Sequence, residues 1–359
     1  MSGQPVCSHE LISVVIPAYN AQHTLLATLD SVFAQTWPRI EVIVVDDGST
    51  DHTGALLQAL GSRVRAIRQP NGGLAQARRT GVEAARGHWI ALMDADDLCR
   101  PDRLAIQARV MRACPQVALC GSDFSAFDER SGTVHAHHAR HYYAMLQHQE
   151  LATLLPDETV LTPDDQPERD TDREDDTDPG GRIRVRHGMA YRALAHGNFL
   201  HPPTLMFRRT LIDRVGNFDP AARSMCDWDW IARAAAVGEV AFIERELLDY
   251  RLSPTQMSSP RHRVRATLDT LLVAERICQR DPELYLSELP RFMHDLGFYC
   301  ADAADALVET DRRRAFQLVM RSITRFSRID AMTLRVLAKV LTPSWALTAL
   351  RHRRAAHSG

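Results

Sequence analysis

The chain begins with apolar runs separated by stretches of helical periodicity. Leu11-Ile12-Ser13-Val14-Val15-Ile16 has the composition of a buried strand and stops at Pro17. Between Ala21 and Gln35, the residues Leu25, Leu26, Leu29, Val32 and Phe33 recur at helical spacing, and Glu41-Val42-Ile43-Val44-Val45 is a second apolar run that ends at Asp46. Together these predict one β-α-β unit. Ser49, Thr50 and Asp51 offer an N-cap to a helix over Ala55 to Leu60, Val64 to Arg68 predicts a third strand, and Gly73 opens a helix through Arg86. Trp89 to Met93 predicts a fourth strand. Such alternation implies right-handed crossovers and an α/β architecture with a mostly parallel sheet flanked by helices. In these sheets ligands sit beyond the carboxyl ends of the strands.

The pattern loosens after Val117 to Gly121, and from Leu161 to Ile183 large apolar residues almost vanish. Residues 156–182 are expected to be a solvated, mobile insertion. Order resumes at Tyr191 and runs through Thr204 to Phe207, a helix at Asp227 to Val237, and strands at Val240 to Phe242 and Leu248 to Leu252. From about Arg263 no β signal remains. The expected organisation is a domain over residues 10–255, interrupted by the insertion, followed by an all-helical C-terminal region over 256–359.

At 359 residues, 45% hydrophobic and 25% charged, the chain fits a globular protein and excludes fibrous or wholly disordered classes. The net charge of −2 gives no sign of a nucleic-acid partner. It conceals an asymmetry: Asp157 to Asp178 carries −9, whereas Thr310 to Gly359 carries +9. In the basic segment the arginines interleave with Phe316, Val319, Phe326, Leu334, Val336, Val340 and Leu341. That pattern serves either a peripheral membrane contact or a helical subdomain whose apolar face packs inward. Seven cysteines without a C-x-x-C pair indicate neither a disulfide framework nor structural zinc. The N-terminus has no signal-peptide pattern, and no apolar run approaches the roughly 18 residues of a membrane span. A cytoplasmic protein, peripheral at the inner face of the membrane if the basic helices bind lipid, is the expectation.

Polar clusters fall at the predicted strand ends. The first strand ends in Pro17-Ala18-Tyr19-Asn20, and the second in Asp46-Asp47-Gly48-Ser49-Thr50-Asp51, where carboxylates can meet a base or ribose or can simply cap the next turn. The fourth ends in Asp94-Ala95-Asp96-Asp97. Three carboxylates in four residues repel one another, and a hard divalent cation such as Mg²⁺ or Mn²⁺ relieves that repulsion. In an extended chain Asp94 and Asp96 would share a side, while Asp97 could instead start the helix near Pro101. Asn71-Gly72-Gly73 precedes a helix carrying Arg78 and Arg79, which suits a phosphate or merely makes a turn with solvated arginines. Cys226-Asp227-Trp228-Asp229-Trp230 opens an amphipathic helix, where Asp227 is either a general base or an N-cap. The irregular spacing of His135, His137, His138, His141 and His148 reads as a solvated loop rather than a metal site.

Taken together, ISVVIPAYN at 12 to 20, VIVVDDGSTD at 42 to 51, NGGLAQARRTGVEAARGHWIALMDADD at 71 to 97, then Pro101, Leu104, DWDWIARAA at 227 to 235 and Tyr250-Arg251 resemble family 2 of the inverting, nucleotide-sugar-dependent glycosyltransferases with the GT-A fold. The resemblance spans about residues 10 to 255. It implies that Pro17, Tyr19 and Asn20 line the nucleotide pocket, that Asp46 contacts the base and Asp47 the ribose region, and that Arg78 meets the phosphates. It further implies that Asp94 and Ala95 lie against the donor, that Asp94 and Asp96 form the DxD motif with Asp96 as the direct metal ligand, and that Asp227 is the general base. The implied activity is inverting transfer of a sugar, UDP-linked by expectation, to a hydroxyl of a saccharide or lipid-linked acceptor in cell-surface polysaccharide or glycolipid assembly. Two positions depart from the family pattern: Cys226 replaces the usual Glu before Asp227, and Arg79 replaces the usual Asn. Asp229 is then a second choice of base, and a nucleotide-binding scaffold without turnover is the alternative function.

Overall fold

A computed structural model of the chain describes residues 10–162, 181–253 and 260–343. The chain divides into two compact units, Met1–Pro254 and Thr255–Gly359. The first is built on eleven strands among the described residues. They are β1 (Ile12–Ala18), β2 (Ile40–Asp46), β3 (Arg65–Arg68), β4 (Trp89–Leu92), β5 (Leu98–Cys99), β6 (Val117–Asp128), β7 (Thr133–His135), β8 (Asp157–Leu161), β9 (Ile183–Gly188), β10 (Met206–Arg208) and β11 (Glu239–Arg251). The main path across the sheet runs β3-β2-β1-β4-β10-β6-β11-β9-β8, with β5 on β11 and β7 on β6.

The half formed by β3, β2, β1 and β4 is wholly parallel, as the β-α alternation predicts. Every residue of β1 is buried, which is the fate of a central strand covered on both faces and the reason its sequence is continuously apolar. Helices Leu25–Phe33, Thr53–Leu60 and Leu74–Ala84 supply the crossovers. Gly81 lies so close to β1 that a Cβ there would stand 2.3 Å from Val15 Cγ1, so this helix packs tightly on the sheet. β10 enters antiparallel between β4 and β6, and β6 and β11 then run parallel to each other. The carboxyl ends of β1, β2, β4, β6 and β11 therefore share one edge of the sheet.

Three elements differ from expectation. The two strands predicted at Val240 and Leu248 are one, β11, which stays paired with β6 across register shifts at Ile243/Glu246 and Glu246/Asp249. Bulges of this kind let a strand continue through polar residues that break the apolar pattern. Asp157–Leu161, expected within the mobile insertion, forms β8 and pairs with β9. Cross-strand pairing of Glu158 with Arg186 at 2.5 Å supplies charge complementarity that composition does not reveal. The rest of that insertion, residues 163–180, lies outside the described residues. The acidic motif Asp94–Asp97 is not extended: Ala95 and Asp96 form a turn between β4 and β5.

The second unit is helical throughout its described residues, with helices Arg263–Arg280, Pro282–Ser287, Leu289–Leu307, Arg312–Phe326 and Ala331–Leu341. Ala304, Leu307, Val308, Ala315, Val319, Val336 and Val340 form its core. Most of the apolar stripe among the C-terminal arginines thus packs inward, while Phe316, Leu334 and Leu341 stay exposed. Asp311 and Asp330, the only acidic residues after Thr310, are both helix caps; they accept from the backbone N–H of Arg314 and Thr333.

Candidate active site

The shared carboxyl edge gathers nearly all the residues singled out in the sequence. At the end of β2, Asp47 is buried and its carboxylate is fully committed. Oδ1 accepts from Gly72 N–H at 2.9 Å and from Gln69 Nε2 at 2.7 Å, and Oδ2 accepts from Gly73 N–H at 2.8 Å. Asp47 thus builds the Asn71-Gly72-Gly73 loop. Gly48, at φ +76°, permits this approach, since a Cβ there would come within 2.8 Å of Asn71 N. Asp51 is committed too, accepting from the N–H groups of Gln22 and Thr53. Burial pulls its pKa upward, but the hydrogen bonds outweigh that and hold it below the usual aspartate value. Asn20, at φ +51°, accepts from Thr50 N–H, while Tyr19 is 52% exposed. Asp46 Oδ1 accepts from Ser49 N–H, whereas the buried Oδ2 has no hydrogen-bond partner and lies 3.4 Å from Arg68 Nη1.

The turn after β4 is organised differently. Asp94 is gripped by Arg78, whose Nη2 donates to Oδ1 at 2.9 Å and to Oδ2 at 3.3 Å. Arg78 is only 2% exposed, and its Nη1 lies 3.8 Å from Cys226 Sγ. Burial together with the charge of Asp94 pushes the pKa of Asp96 up to about 6. Asp97 is completely buried, its Oδ1 accepting from Arg251 N–H at 3.0 Å and its Oδ2 left without a hydrogen bond. Asp97 therefore does not cap the helix Arg103–Ala113, whose N-cap position is Asp102. An all-oxygen donor set with one carboxyl pushed toward neutrality and one buried carboxylate oxygen left orphaned fits a hard divalent cation.

Asp227 sits in the first turn of the helix Cys226–Ala235, which Trp228 and Trp230 anchor by donating to Leu194 and Gly216 carbonyls. Burial raises the Asp227 pKa and the Arg78 charge opposes that rise. One buried guanidinium thus serves both the acidic turn and the candidate base. Asp229 is 1% exposed and locked into a pair with Arg233, whose Nη2 is 2.9 Å from Oδ2. The Cys226 thiol is pushed up to about 12 by burial and stays neutral beside Arg78. Arg79 faces outward, pairing with Glu83.

The sequence assigned no role to two further arginines, Arg103 and the Arg251 of the Tyr250-Arg251 pair. Arg103, fully buried, donates from Nη2 to the Leu92 carbonyl at the end of β4, and Arg251 donates from Nε to the Asp96 carbonyl. Both lie in segments rich in ordinary charged residues, and only their burial separates them from surface arginines. Of the five histidines, those at 135, 137, 141 and 148 are exposed and His138 is half-buried, but the stretch is not the expected loop: His135 ends β7, and His141 and His148 lie in short helices, Ala139–Tyr142 and Ala144–His148. At the other end of β11, Asp157, His187 and Glu239 bring one ligating atom each within 4.8 Å, but both His187 ring nitrogens already have partners in Glu239 and Thr159.

An acidic turn at a strand end, a glycine-rich loop beside it and an aspartate on a facing helix, all on the carboxyl edge of an α/β sheet, define a GT-A type architecture. Residues 13–166, somewhat under half of the chain, match the family model described as Glycosyl transferase family 2. Over 127 residues it is 35% identical to Glycosyltransferase GlyG of Streptococcus pneumoniae, a match covering 34% of this chain and 42% of that protein. Over 123 residues it is 42% identical to the Succinoglycan biosynthesis protein ExoO of Rhizobium meliloti, covering 33% and 35%. The matches thus span less than half the length of these relatives. Among solved structures, the mannosyltransferase PcManGT from Pyrobaculum calidifontis in complex with GDP-Man and Mn²⁺ aligns with a TM-score of 0.53 at 17% identity, covering 93% of this chain and 87% of that one. S. aureus TarS 1–349 in complex with UDP-GlcNAc aligns with a TM-score of 0.51 at 15% identity, covering 92% and 90%. At these identities the likeness is one of fold.

Proposed function

We propose that the chain is a metal-dependent, inverting glycosyltransferase that moves a sugar from a nucleotide-diphosphate sugar, UDP-linked, to an acceptor hydroxyl. The observation that carries this reading is the convergence of Asp94 and Asp227 on a single buried arginine, Arg78, because it puts a metal-type turn and a base of raised pKa around one small volume. Asp227 takes the proton of the acceptor hydroxyl as that oxygen attacks the anomeric carbon from the face opposite the leaving group. The bond from the anomeric carbon to the diphosphate oxygen breaks, and the configuration inverts. Asp94 and Asp96 would hold a Mg²⁺ or Mn²⁺ ion, which neutralises the departing diphosphate when bound. Asp46, whose Oδ2 makes no hydrogen bond and lies 3.4 Å from Arg68 Nη1, would contact the nucleotide base. Pro17, Tyr19 and Asn20 line the approach, with Ala95 against the donor. Asp47 acts through the loop it holds.

The name of the succinoglycan biosynthesis relative points to polysaccharide assembly, and the two solved neighbours hold a UDP-linked and a GDP-linked sugar, so both donor classes belong in the test. A saccharide or lipid-linked acceptor follows from that setting. No described helix is long and apolar enough to cross a membrane. The exposed Arg313, Arg314, Arg325 and Arg335 beside Phe316 and Leu334 suit peripheral contact with an anionic leaflet, which flotation on anionic but not zwitterionic liposomes would support. The primary test is turnover of a panel of UDP- and GDP-sugars with Mn²⁺. Release of nucleotide that depends on Asp227 supports the transferase. Metal-dependent UDP binding with no turnover on any acceptor favours a scaffold, and no binding of any nucleotide overturns both.

A further inference from the structure

Within the transferase reading above, we propose that Arg251 is a positioning residue that clamps the acidic turn into its cation- and diphosphate-binding shape. Arg251 is the last residue of β11 and is only 7% exposed. It meets the turn twice. Its backbone N–H donates to Asp97 Oδ1 at 3.0 Å, and its guanidinium Nε donates to the Asp96 carbonyl at 2.6 Å. Its Nη1 pairs with Glu129, just past the end of β6, and the guanidinium lies 4.8 Å over the Phe127 ring. One side chain therefore ties the turn to β6 and β11 across the sheet.

The turn needs such a tie. β4 ends at Leu92, and β5, which follows the turn, is only two residues long, so Asp94–Asp97 borrows little order from the ladder. Thr28 Oγ1 donates to the Asp97 carbonyl, leaving the Asp96 peptide to be fixed by Arg251. Fixing the carbonyl of a residue restricts the backbone that aims its side chain, so the guanidinium sets the direction of the Asp96 carboxylate. Its charge also faces the carboxylates of Asp96 and Asp97, complementing Arg78 on the Asp94 side. A planar fork can reach Asp96 and Glu129 together; a lysine ammonium on a flexible stem reaches one well.

The test is a titration of Mn²⁺ followed by electron paramagnetic resonance, with and without UDP, on the full chain. Arg251→Met is expected to weaken Mn²⁺–UDP binding by about tenfold or more, the range seen when an outer-sphere partner of a ligand is lost. Arg251→Lys is expected to restore part of it. Arg186→Met, which removes a paired arginine of the β8–β9 strand pair, is expected to bind as the wild type does. In turnover, Arg251→Lys should raise KM for the donor while leaving the acid limb of the pH profile in place. If Arg251→Met does not fold, Arg251→Lys decides, with about threefold or greater weakening expected. Folded Arg251 variants that bind Mn²⁺–UDP at wild-type strength overturn the clamp and leave the transferase reading standing. Failure of the wild-type chain to bind Mn²⁺–UDP overturns that reading and the clamp with it.

Discussion

At the end of β2, Asp47 and Asp51 spend their carboxylate oxygens on backbone N–H groups and on Gln69. At the end of β4, Asp94 and Asp96 sit close enough for their charges to interact, and the buried Oδ2 of Asp97 has no hydrogen-bond partner. Both clusters are strand-end aspartates in one sheet, and from the sequence both look like ligand groups. The physical difference is satisfaction. A carboxylate that already accepts three hydrogen bonds is stabilised in place and builds a loop, whereas crowded carboxylates with oxygens to spare are stabilised by whatever cation arrives. Asp227 and Asp229 repeat the contrast within one helix, since Asp229 is consumed by Arg233 and Asp227 has only partial compensation from Arg78.

The largest expected effect separates the members of that helix pair. Asp227→Asn should lower turnover by about 10³-fold while leaving Mn²⁺–UDP binding near wild type, because only the proton acceptor is lost. Asp229→Asn should instead cost stability, on the order of 3 kcal/mol, by leaving the largely buried Arg233 without its counter-charge and with only the Val215 and Asn217 carbonyls beside it, the folded fraction staying active. Turnover assays beside thermal unfolding check both. Retained activity in Asp227→Asn with loss in Asp229→Asn would reverse the assignment.

Next in size are the two strand-end clusters. Asp96→Asn should weaken Mn²⁺ binding by more than tenfold and leave the melting temperature unchanged or raised, since it removes a charge from a crowded turn. Asp47→Asn should do the opposite. It keeps one acceptor oxygen and turns the other into a donor facing an N–H, which costs about 1–3 kcal/mol by denaturant unfolding. If Asp47→Asn unfolds like the wild type and loses only nucleotide affinity, Asp47 is a ribose ligand and the contrast between the clusters fails.

Much of this was readable in the residues alone. The parallel half of the sheet follows from apolar runs of four to seven residues broken by helical periodicity, because burial on both faces leaves no other composition for β1 and β2. The acidic turn was visible as a short motif at a strand end, and the candidate base as one at a helix start. What could not be read was how carboxylates are partnered across long sequence separations. Asp97 meets Arg251 across 154 positions, and Asp47 meets the 71–73 loop through backbone groups that carry no sequence signature. Arg78 was expected on a phosphate and is found between Asp94 and Cys226, because the depth of a helical arginine depends on how closely its helix approaches the sheet. The bent course of β11 was hidden for a related reason: Glu244, Arg245 and Glu246 interrupt the apolar pattern at the bulge, where side chains turn toward partners such as Arg100 and Asp102.

The smallest expected effect tests how far Arg78 compensates Asp227. Burial raises the pKa of Asp227 above the usual aspartate value of 3.8, and the guanidinium charge of Arg78 limits that rise. A general base works only when unprotonated, so kcat/KM should fall as pH drops through this raised pKa, placing the acid limb above the range of an exposed aspartate. Neutralising Arg78 removes the positive charge that favours the carboxylate. In Arg78→Gln the limb should therefore move to higher pH, in addition to any loss of donor affinity from the loosened Asp94. Asp229→Asn should leave the limb where it is, since Asp229 already has its partner in Arg233. A limb that stays fixed in Arg78→Gln, measured with saturating Mn²⁺ and donor so that Asp94 is held, would show that the base draws its charge compensation from elsewhere and that Arg78 serves the acidic turn alone.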